Sequence, residues 1–113
     1  MTTSVHLALV QMSMTASAEE NRKHAAELVR EAKRRGAEIV CLPELFTSPY
    51  FCASPGPCFE YAEPIPGPTS AFLQELAKSE GIWLFGGSIH EKAGDRYYNT
   101  TIVCRPDGEI AGS

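Results

Sequence analysis

The sequence lacks the features that would mark a membrane, nucleic-acid-binding or secreted protein. Its apolar runs, such as residues 7–10 and 82–85, are far shorter than the roughly 20 residues that a membrane-spanning helix needs. Basic residues are not in excess, since 10 Lys and Arg face 14 Asp and Glu for a net charge of −4. We therefore expect neither nucleic acid nor a membrane as a partner. The N-terminal residues have neither a basic region nor a cleavage site and do not resemble a signal peptide. We therefore expect a cytoplasmic protein.

Cysteines are few and poorly spaced for metal binding. The four cysteines form no C-x-x-C pair, so we expect no metal site and no cofactor. They are Cys41, Cys52, Cys58 and Cys104. A cytoplasmic location keeps thiols reduced, and we expect no disulfide. Each cysteine is interpreted as a small apolar side chain and none as a nucleophile.

What is present is the composition of a folded α/β protein. Of the 113 residues, 43% are apolar and 21% are charged, which is typical of one small globular domain. A strand is predicted over residues 5–12. A capping box formed by Ser17 and Glu20 begins a helix that Gly36 ends. The β-branched run 38–42 predicts a second strand parallel to the first.

The middle of the chain combines a long loop with a second helix. Residues 44–68 contain too many prolines and glycines for a regular element, and a loop of this length in a compact domain commonly forms a lid or a binding loop. Gly67 or Thr69 then caps a helix that Gly81 ends. Residues 82–89 are predicted to form a third strand.

The C-terminal part predicts one or two hairpins. Residues 97–105 are predicted to form a strand, and the turn 106–108 is predicted to lead back to residues 109–111. Together the predicted strands and helices indicate an α/β architecture with a mixed sheet. Because no further helix follows Ser113 to cover the sheet, we expect residues 1–113 to be an incomplete domain.

Glu44 is the candidate for chemistry. It follows the strand 38–42 directly, and ligands of open α/β sheets bind beyond the carboxyl ends of the strands. Between Leu42 and Leu45 its carboxylate would be partly desolvated, which suits a general base or acid. Its position alone is equally compatible with an ordinary exposed loop acid.

The string around Glu44 resembles a known catalytic segment. Residues 41–52, CLPELFTSPYFC, resemble the first catalytic segment of the nitrilase superfamily of carbon–nitrogen hydrolases. The resemblance continues in order along nearly the whole chain. It includes VQM at 10–12, AEPIPGPT at 62–69, GGSI at 86–89, YNT at 98–100 and PDG at 106–108.

This resemblance implies a fold and a mechanism. It implies that the chain is the N-terminal part of a four-layer α-β-β-α sandwich, in a protein that is a homo-oligomer when complete. It also implies a Glu-Lys-Cys triad in which Glu44 is the general base, and it places the lysine and the cysteine beyond Ser113. With one of three triad members present, we expect the 113-residue chain alone to be inactive.

The resemblance also narrows the substrate. Within the superfamily the chain is similar to N-carbamoylputrescine amidases and to ω-amidases, so we expect small linear amides or N-carbamoyl amines. Tyr50 and Phe51 could line the substrate pocket or only pack within the loop. Asn99 could orient Glu44, although pairing with backbone in the hairpin is the favoured interpretation. The alternative to an enzyme is a non-catalytic α/β module acting in binding or assembly.

Overall fold

A computed structural model describes residues 3–113 and shows a mixed α/β fold. A five-stranded sheet carries two helices, and a separate hairpin stands beside it. The elements are β1 (Leu7–Leu9), α1 (Ala18–Arg34), β2 (Ile39–Cys41), α2 (Pro68–Glu80), β3 (Trp83–Phe85), β4 (Ile89–Ala93), β5 (Arg96–Thr100), β6 (Val103–Cys104) and β7 (Ile110–Gly112). The segment between β2 and α2 is described throughout, and it contains one helical turn, a 3₁₀ turn at Phe51–Ala53.

The five-stranded sheet has the order β1-β2-β3-β6-β7. The first three strands are parallel, with Ala8 opposite Val40 and Val40 opposite Leu84. Strand β6 is added antiparallel to β3, and β7 is added antiparallel to β6. The mixed sheet and its parallel start are therefore as predicted, and the carboxyl ends of β1, β2 and β3 lie at one edge.

Helix α1 begins with half of the predicted capping box. Ser17 Oγ accepts a hydrogen bond from the Glu20 backbone N–H at 3.2 Å. The Glu20 carboxylate accepts from Thr15 Oγ1 instead of the Ser17 N–H, which is itself bonded to Thr15 Oγ1. The helix ends where Gly36 takes φ +93°, a conformation that glycine adopts without steric cost.

Helix α2 uses the first of the two predicted caps. Gly67 is the N-cap residue, and its N–H donates to Ser70 Oγ at 2.8 Å. Thr69 lies within the helix and donates through its N–H and its hydroxyl to the Glu63 carboxylate, at 2.7 and 2.8 Å. Gly81 ends the helix in the left-handed conformation.

Only one face of the sheet is covered by the helices. Alternate residues such as Val40, Leu84 and Cys104 are fully buried in one core with α1 and α2. The intervening side chains point to the other face and remain exposed, for example Leu9 at 73% and Phe85 at 40%. Cys41 lies on this second face and is half-buried.

Two predicted strands are each broken in the structure. The run 82–89 divides into β3 and β4, because Gly86 packs where a Cβ would lie 2.6 Å from Leu73 Cδ1 and Gly87 takes φ +60°. The run 97–105 divides likewise into β5 and β6. As a result β4 and β5 form their own antiparallel hairpin beside the sheet.

Neither helix within residues 3–113 is long and apolar enough to cross a membrane.

Candidate active site

Glu44 stands at the carboxyl edge of the parallel strands, where the sequence predicts it. The ladder between β2 and β3 ends with the Leu42 N–H donating to Phe85 O at 2.9 Å. The chain then leaves the sheet through Pro43, and Glu44 follows. Its side chain is exposed, so the expected partial desolvation between apolar neighbours is wrong. Its apolar neighbours Leu45 and Phe46 turn into the core, while the carboxylate faces solvent.

A strained residue directly after Glu44 fixes the direction of this corner. Leu45 has φ +52°, a left-handed conformation that costs a residue with a Cβ about 1–3 kcal/mol. Its side chain is 3% exposed. Its N–H donates to Ser88 Oγ at 3.0 Å, and Ser88 is itself buried. The Ser88 hydroxyl, directly before β4, therefore helps to hold the backbone that carries Glu44.

The corner after β3 packs directly on the corner after β2. A Cβ on Gly87 would lie 2.0 Å from Pro43 O, so only glycine allows this approach. The Gly87 carbonyl accepts a hydrogen bond from Thr101 Oγ1 at 2.7 Å. The break between β3 and β4 thus places the backbone at Gly87 against the residue that precedes Glu44.

Asn99 binds the Glu44 side chain. Its Nδ2 donates to Glu44 Oε1 at 2.7 Å, across 55 residues of sequence. A carboxylate can only accept, which assigns the amide nitrogen to this side of Asn99. The favoured sequence interpretation, pairing of Asn99 with backbone, is therefore wrong. The β4–β5 hairpin carries Asn99 to the edge of the sheet where Glu44 lies.

These side chains enclose an open cavity of about 290 Å³. It is lined by Leu42, Glu44, Gly87, Ser88, Asn99 and Thr101. A carboxylate held in one orientation at the wall of such a cavity can take a proton from a group beside it and return it. A larger cavity of about 790 Å³ lies between β1 and α1 along the open edge of the sheet, and its lining does not include Glu44.

Tyr50 and Phe51 lie on the same side of the molecule as Glu44. The Glu44 carboxylate, and after it Cys52, raises the pKa of the Tyr50 hydroxyl, which reflects the short distance between these groups. Tyr50 is 51% exposed. Phe51 lines a second cavity together with Leu45, so both predicted substrate-binding residues stand near Glu44.

The cysteines differ in their surroundings. Burial raises the pKa of Cys41 and of Cys104, which disfavours the thiolate that a nucleophile requires. Cys52 is exposed beside Tyr50, and Cys58 lies in the same loop. The interpretation of the four cysteines as non-catalytic stays a prediction.

The carbon-nitrogen hydrolase family matches residues 6–113. The chain belongs to this family. Omega-amidase NIT2 of Mus musculus is 44% identical over 106 residues, which are 92% of the chain and 37% of that protein. The chain thus spans little more than a third of the length of the curated relatives that it matches.

Solved structures of carbon-nitrogen hydrolases share the fold. The carbon-nitrogen hydrolase of Helicobacter pylori G27 superposes with a TM-score of 0.86 at 30% identity, over 96% of this chain and 38% of that one. Nit3 of Saccharomyces cerevisiae, a member of branch 10 of the nitrilase superfamily, gives 0.77 at 33% identity, over 94% and 41%. The predicted nitrilase-type α/β fold and the resemblance to the superfamily are therefore confirmed.

Sequence reasoning missed two residues of the site. Ser88 and Thr101 both hold the corners around Glu44, and the sequence alone assigns a role to neither. The Gly-Gly-Ser order inside an apolar run was the available signal, because paired glycines in a strand pattern mark a bulge or a close backbone approach. Nothing local marked Thr101.

Proposed function

We propose that this chain supplies the general base and part of the substrate pocket of an enzyme that hydrolyses non-peptide carbon–nitrogen bonds. The observation that carries the proposal is the orientation of the Glu44 carboxylate at the wall of a cavity beyond the parallel strands. Asn99 Nδ2 holds this orientation through a hydrogen bond of 2.7 Å to Glu44 Oε1. The substrates are small linear amides or N-carbamoyl amines. Tyr50 and Phe51 are the proposed substrate-binding residues.

The chemistry follows the Glu-Lys-Cys scheme that the superfamily resemblance implies. Glu44 takes the proton of a cysteine thiol, and the thiolate attacks the amide carbon. Collapse of the tetrahedral adduct breaks the C–N bond, and Glu44 gives its proton to the departing amine. Glu44 then removes a proton from water, which attacks the thioester and releases the acid and the thiol. The lysine stabilises the oxyanion, and it and the cysteine lie beyond Ser113.

The arrangement of Glu44 supports its repeated use as base and acid. A carboxylate that exchanges a proton several times per turnover must stay in one position relative to the thiol and the leaving group. Leu45, held by Ser88, fixes the backbone of Glu44, and Asn99 fixes its side chain. Asn99 occupies one oxygen of the carboxylate and leaves Oε2 for the proton.

The experiment uses a completed chain, in which residues 1–113 are fused to the part of mouse omega-amidase NIT2 that follows the matched segment. It is incubated with a primary amide, an N-carbamoyl amine, a nitrile and a peptide, and products are identified by mass spectrometry with an ammonia assay. We expect acid and ammonia from the amide, or amine, carbon dioxide and ammonia from the carbamoyl compound. No turnover of either compound would contradict the proposal. The unfused chain is the control and should be inactive.

A second candidate function is favoured by the uncovered face of the sheet. Leu7, Leu9, Trp83 and Phe85 are all exposed there, at 39–73%, and such a patch is typical of an interaction surface. In this alternative the chain acts in binding or assembly without catalysis. A completed chain that is folded but inactive, together with an unfused chain that forms a discrete oligomer in sedimentation analysis, would favour this alternative.

For the enzyme, we propose a cytoplasmic homo-oligomer.

A further inference from the structure

Glu63 lies where the loop that follows Glu44 meets the β4–β5 hairpin. Its N–H donates to His90 O at 2.9 Å, and its carbonyl accepts from the Lys92 N–H at 2.8 Å. These two bonds make Glu63 a single bridge residue, parallel to Glu91, on the edge of β4 that faces away from β5. The backbone of Glu63 therefore fastens the loop to the hairpin.

The side chain of Glu63 reaches the start of α2. Its two carboxylate oxygens accept from the Thr69 N–H at 2.7 Å and from Thr69 Oγ1 at 2.8 Å. Hydrogen bonds to a carboxylate at a helix N-terminus are among the stronger ones in proteins. Thr69 is fully buried, and α2 is anchored in the core by buried side chains such as Leu73 and Leu76. The Glu63 carboxylate therefore ties the loop to a helix that the core holds in place.

The turn between Glu63 and α2 is closely packed. A Cβ on Gly67 would lie 2.2 Å from Pro64 O and 3.6 Å from Glu63 Oε1, so only glycine allows this approach. Ser70 Oγ closes the turn, because it accepts from the Gly67 N–H at 2.8 Å and donates to Gly67 O at 3.1 Å. The turn thus keeps the Glu63 carboxylate beside the first residues of α2.

The hairpin connects Glu63 to the proposed general base. His90, which accepts from the Glu63 N–H, is paired directly opposite Asn99 in the hairpin register. Asn99 Nδ2 in turn donates to Glu44 Oε1 at 2.7 Å. A continuous series of contacts therefore runs from the buried start of α2 through Glu63, His90 and Asn99 to the Glu44 carboxylate.

The position of Asn99 depends on what holds the hairpin. Within residues 3–113, β4 and β5 form a two-stranded sheet of their own, and an isolated two-stranded hairpin is only marginally stable. Thr101 Oγ1 donates to Gly87 O at 2.7 Å and holds the base of the hairpin. Glu63 holds it further along, at the level of the pair formed by His90 and Asn99.

We propose that Glu63 is a positioning residue for the reaction at Glu44. It ties the β4–β5 hairpin to α2 and so keeps Asn99 against the Glu44 carboxylate. We take Glu44 as the base that Asn99 orients, so the inference rests on the proposed function. Loss of the Glu63 side chain frees the loop from α2 and lets Asn99 leave Glu44 more often. The two glutamates thus divide the work: Glu44 moves the proton, and Glu63 holds the partner of Glu44 in place.

Two variants of Glu63 are measured in the completed chain with a primary amide. Glu63→Ala removes both bonds to Thr69, and kcat should fall about fivefold while KM changes less than about twofold. Glu63→Gln keeps an oxygen for the Thr69 N–H and gains an amide that can donate to Thr69 Oγ1, so it should retain at least about half of the wild-type kcat. Glu75→Ala, at an exposed position of α2, is the control and should match the wild type. A wild-type kcat in Glu63→Ala would overturn the proposal.

A double-mutant cycle separates positioning from a general loss of stability. If Glu63 acts through Asn99, Glu63→Ala should lower kcat less than about twofold in an Asn99→Ala background. Leu76→Val, which loosens the core of α2 away from Glu63, is the control and should change kcat by the same factor in both backgrounds. An equally large loss from Glu63→Ala in both backgrounds would overturn the proposal, because it would show a structural role only.

Hydrogen exchange separates this proposal from the proposed function. The Lys92 N–H and the side-chain amide of Asn99 are followed by NMR in the completed chain without substrate. Glu63→Ala should speed exchange at both at least about threefold, whereas the Leu42 N–H within the five-stranded sheet should keep its wild-type rate. Unchanged exchange at Asn99 overturns the proposal even where an active enzyme confirms Glu44 as the base. Faster exchange at Asn99 in a completed chain that hydrolyses no amide supports the hold of Glu63 on Asn99 and refutes only the proposed function.

Discussion

Asn99 Nδ2 lies 2.7 Å from Glu44 Oε1 and joins the β4–β5 hairpin to the corner that follows β2. Both side chains are exposed to the cavity. Because water can replace either partner of an exposed hydrogen bond, this bond contributes little to the stability of the fold. We expect its main effect to be on the orientation of the carboxylate. Its loss should affect catalysis before it affects folding.

Replacement of Asn99 tests this restraint. In the completed chain, Asn99→Ala should lower kcat about tenfold with little change in KM, because a mobile carboxylate is less often aligned with its proton donor. Asn99→Asp should be worse and should move the acid limb of the pH–rate profile upward, since adjacent carboxylates disfavour ionisation of one another. Steady-state kinetics across pH measure both effects. Equal activity of wild type and Asn99→Ala would contradict a positioning role.

Ser88 should contribute to stability through the strained corner. Ser88→Ala leaves the Leu45 N–H without its partner at a buried position, which costs about 1–3 kcal/mol in the free energy of unfolding. Ser79→Ala, on the exposed side of α2, is the matched control and should change it by less than about 0.5 kcal/mol. Urea unfolding of the chain gives both values. Similar values for the two variants would show that the corner does not depend on Ser88.

Two glycines of nearly equal φ separate steric contact from backbone strain. Gly87 has φ +60° and Gly94 has φ +64°, but only at Gly87 would a Cβ meet another atom, Pro43 O at 2.0 Å. Gly94→Ala should cost about 1 kcal/mol, the penalty for a Cβ in this conformation. Gly87→Ala should cost more than about 3 kcal/mol, because the corner before Glu44 must move. Urea unfolding measures both, and equal costs would refute the close packing of the two corners.

His90 should make stability depend on pH. Burial lowers its pKa in the folded chain below the ordinary value of about 6.5. Above that pH the ring is neutral in both states and titration has no effect. As pH falls below it, the unfolded chain takes up the proton first, and folding loses free energy until the folded pKa is passed.

The corresponding measurement compares unfolding at about pH 7.5 and about pH 5.5. His90→Gln should lose less stability between these values than the wild type does. His24→Gln, at an exposed position of α1, is the control and should behave as the wild type. A His90→Gln variant with an undiminished loss would show that another group carries the effect.

Local signals predicted the framework of the fold. The first two strands, the helix bounded by Ser17 and Gly36, and the helix between Gly67 and Gly81 depend on patterns within a few residues, and the structure has them. The break of the run 82–89 was missed, because apolar residues continue on both sides of Gly86 and Gly87. The paired glycines were the local signal, and their tertiary contacts with Leu73 and Pro43 show why the strand ends there.

The site was predictable only in part. Glu44 could be placed because the end of a parallel strand is a local feature with a known position in the sheet. Its exposure and its bond to Asn99 could not, since they depend on where a hairpin 55 residues away turns back. The same holds for the packing of Phe51 and Phe59 against the hairpin, where Glu63 joins loop and hairpin through backbone hydrogen bonds with His90 and Lys92.

The most direct test of the central claim is the rate of amide hydrolysis by the completed chain with Glu44→Gln. If Glu44 is the general base, kcat/KM should fall by at least about a thousandfold, while the variant keeps its fold. Glu75→Gln, the same change at an exposed position of α2, should retain full activity. Hydrolysis by Glu44→Gln at a rate near that of Glu75→Gln would contradict the account.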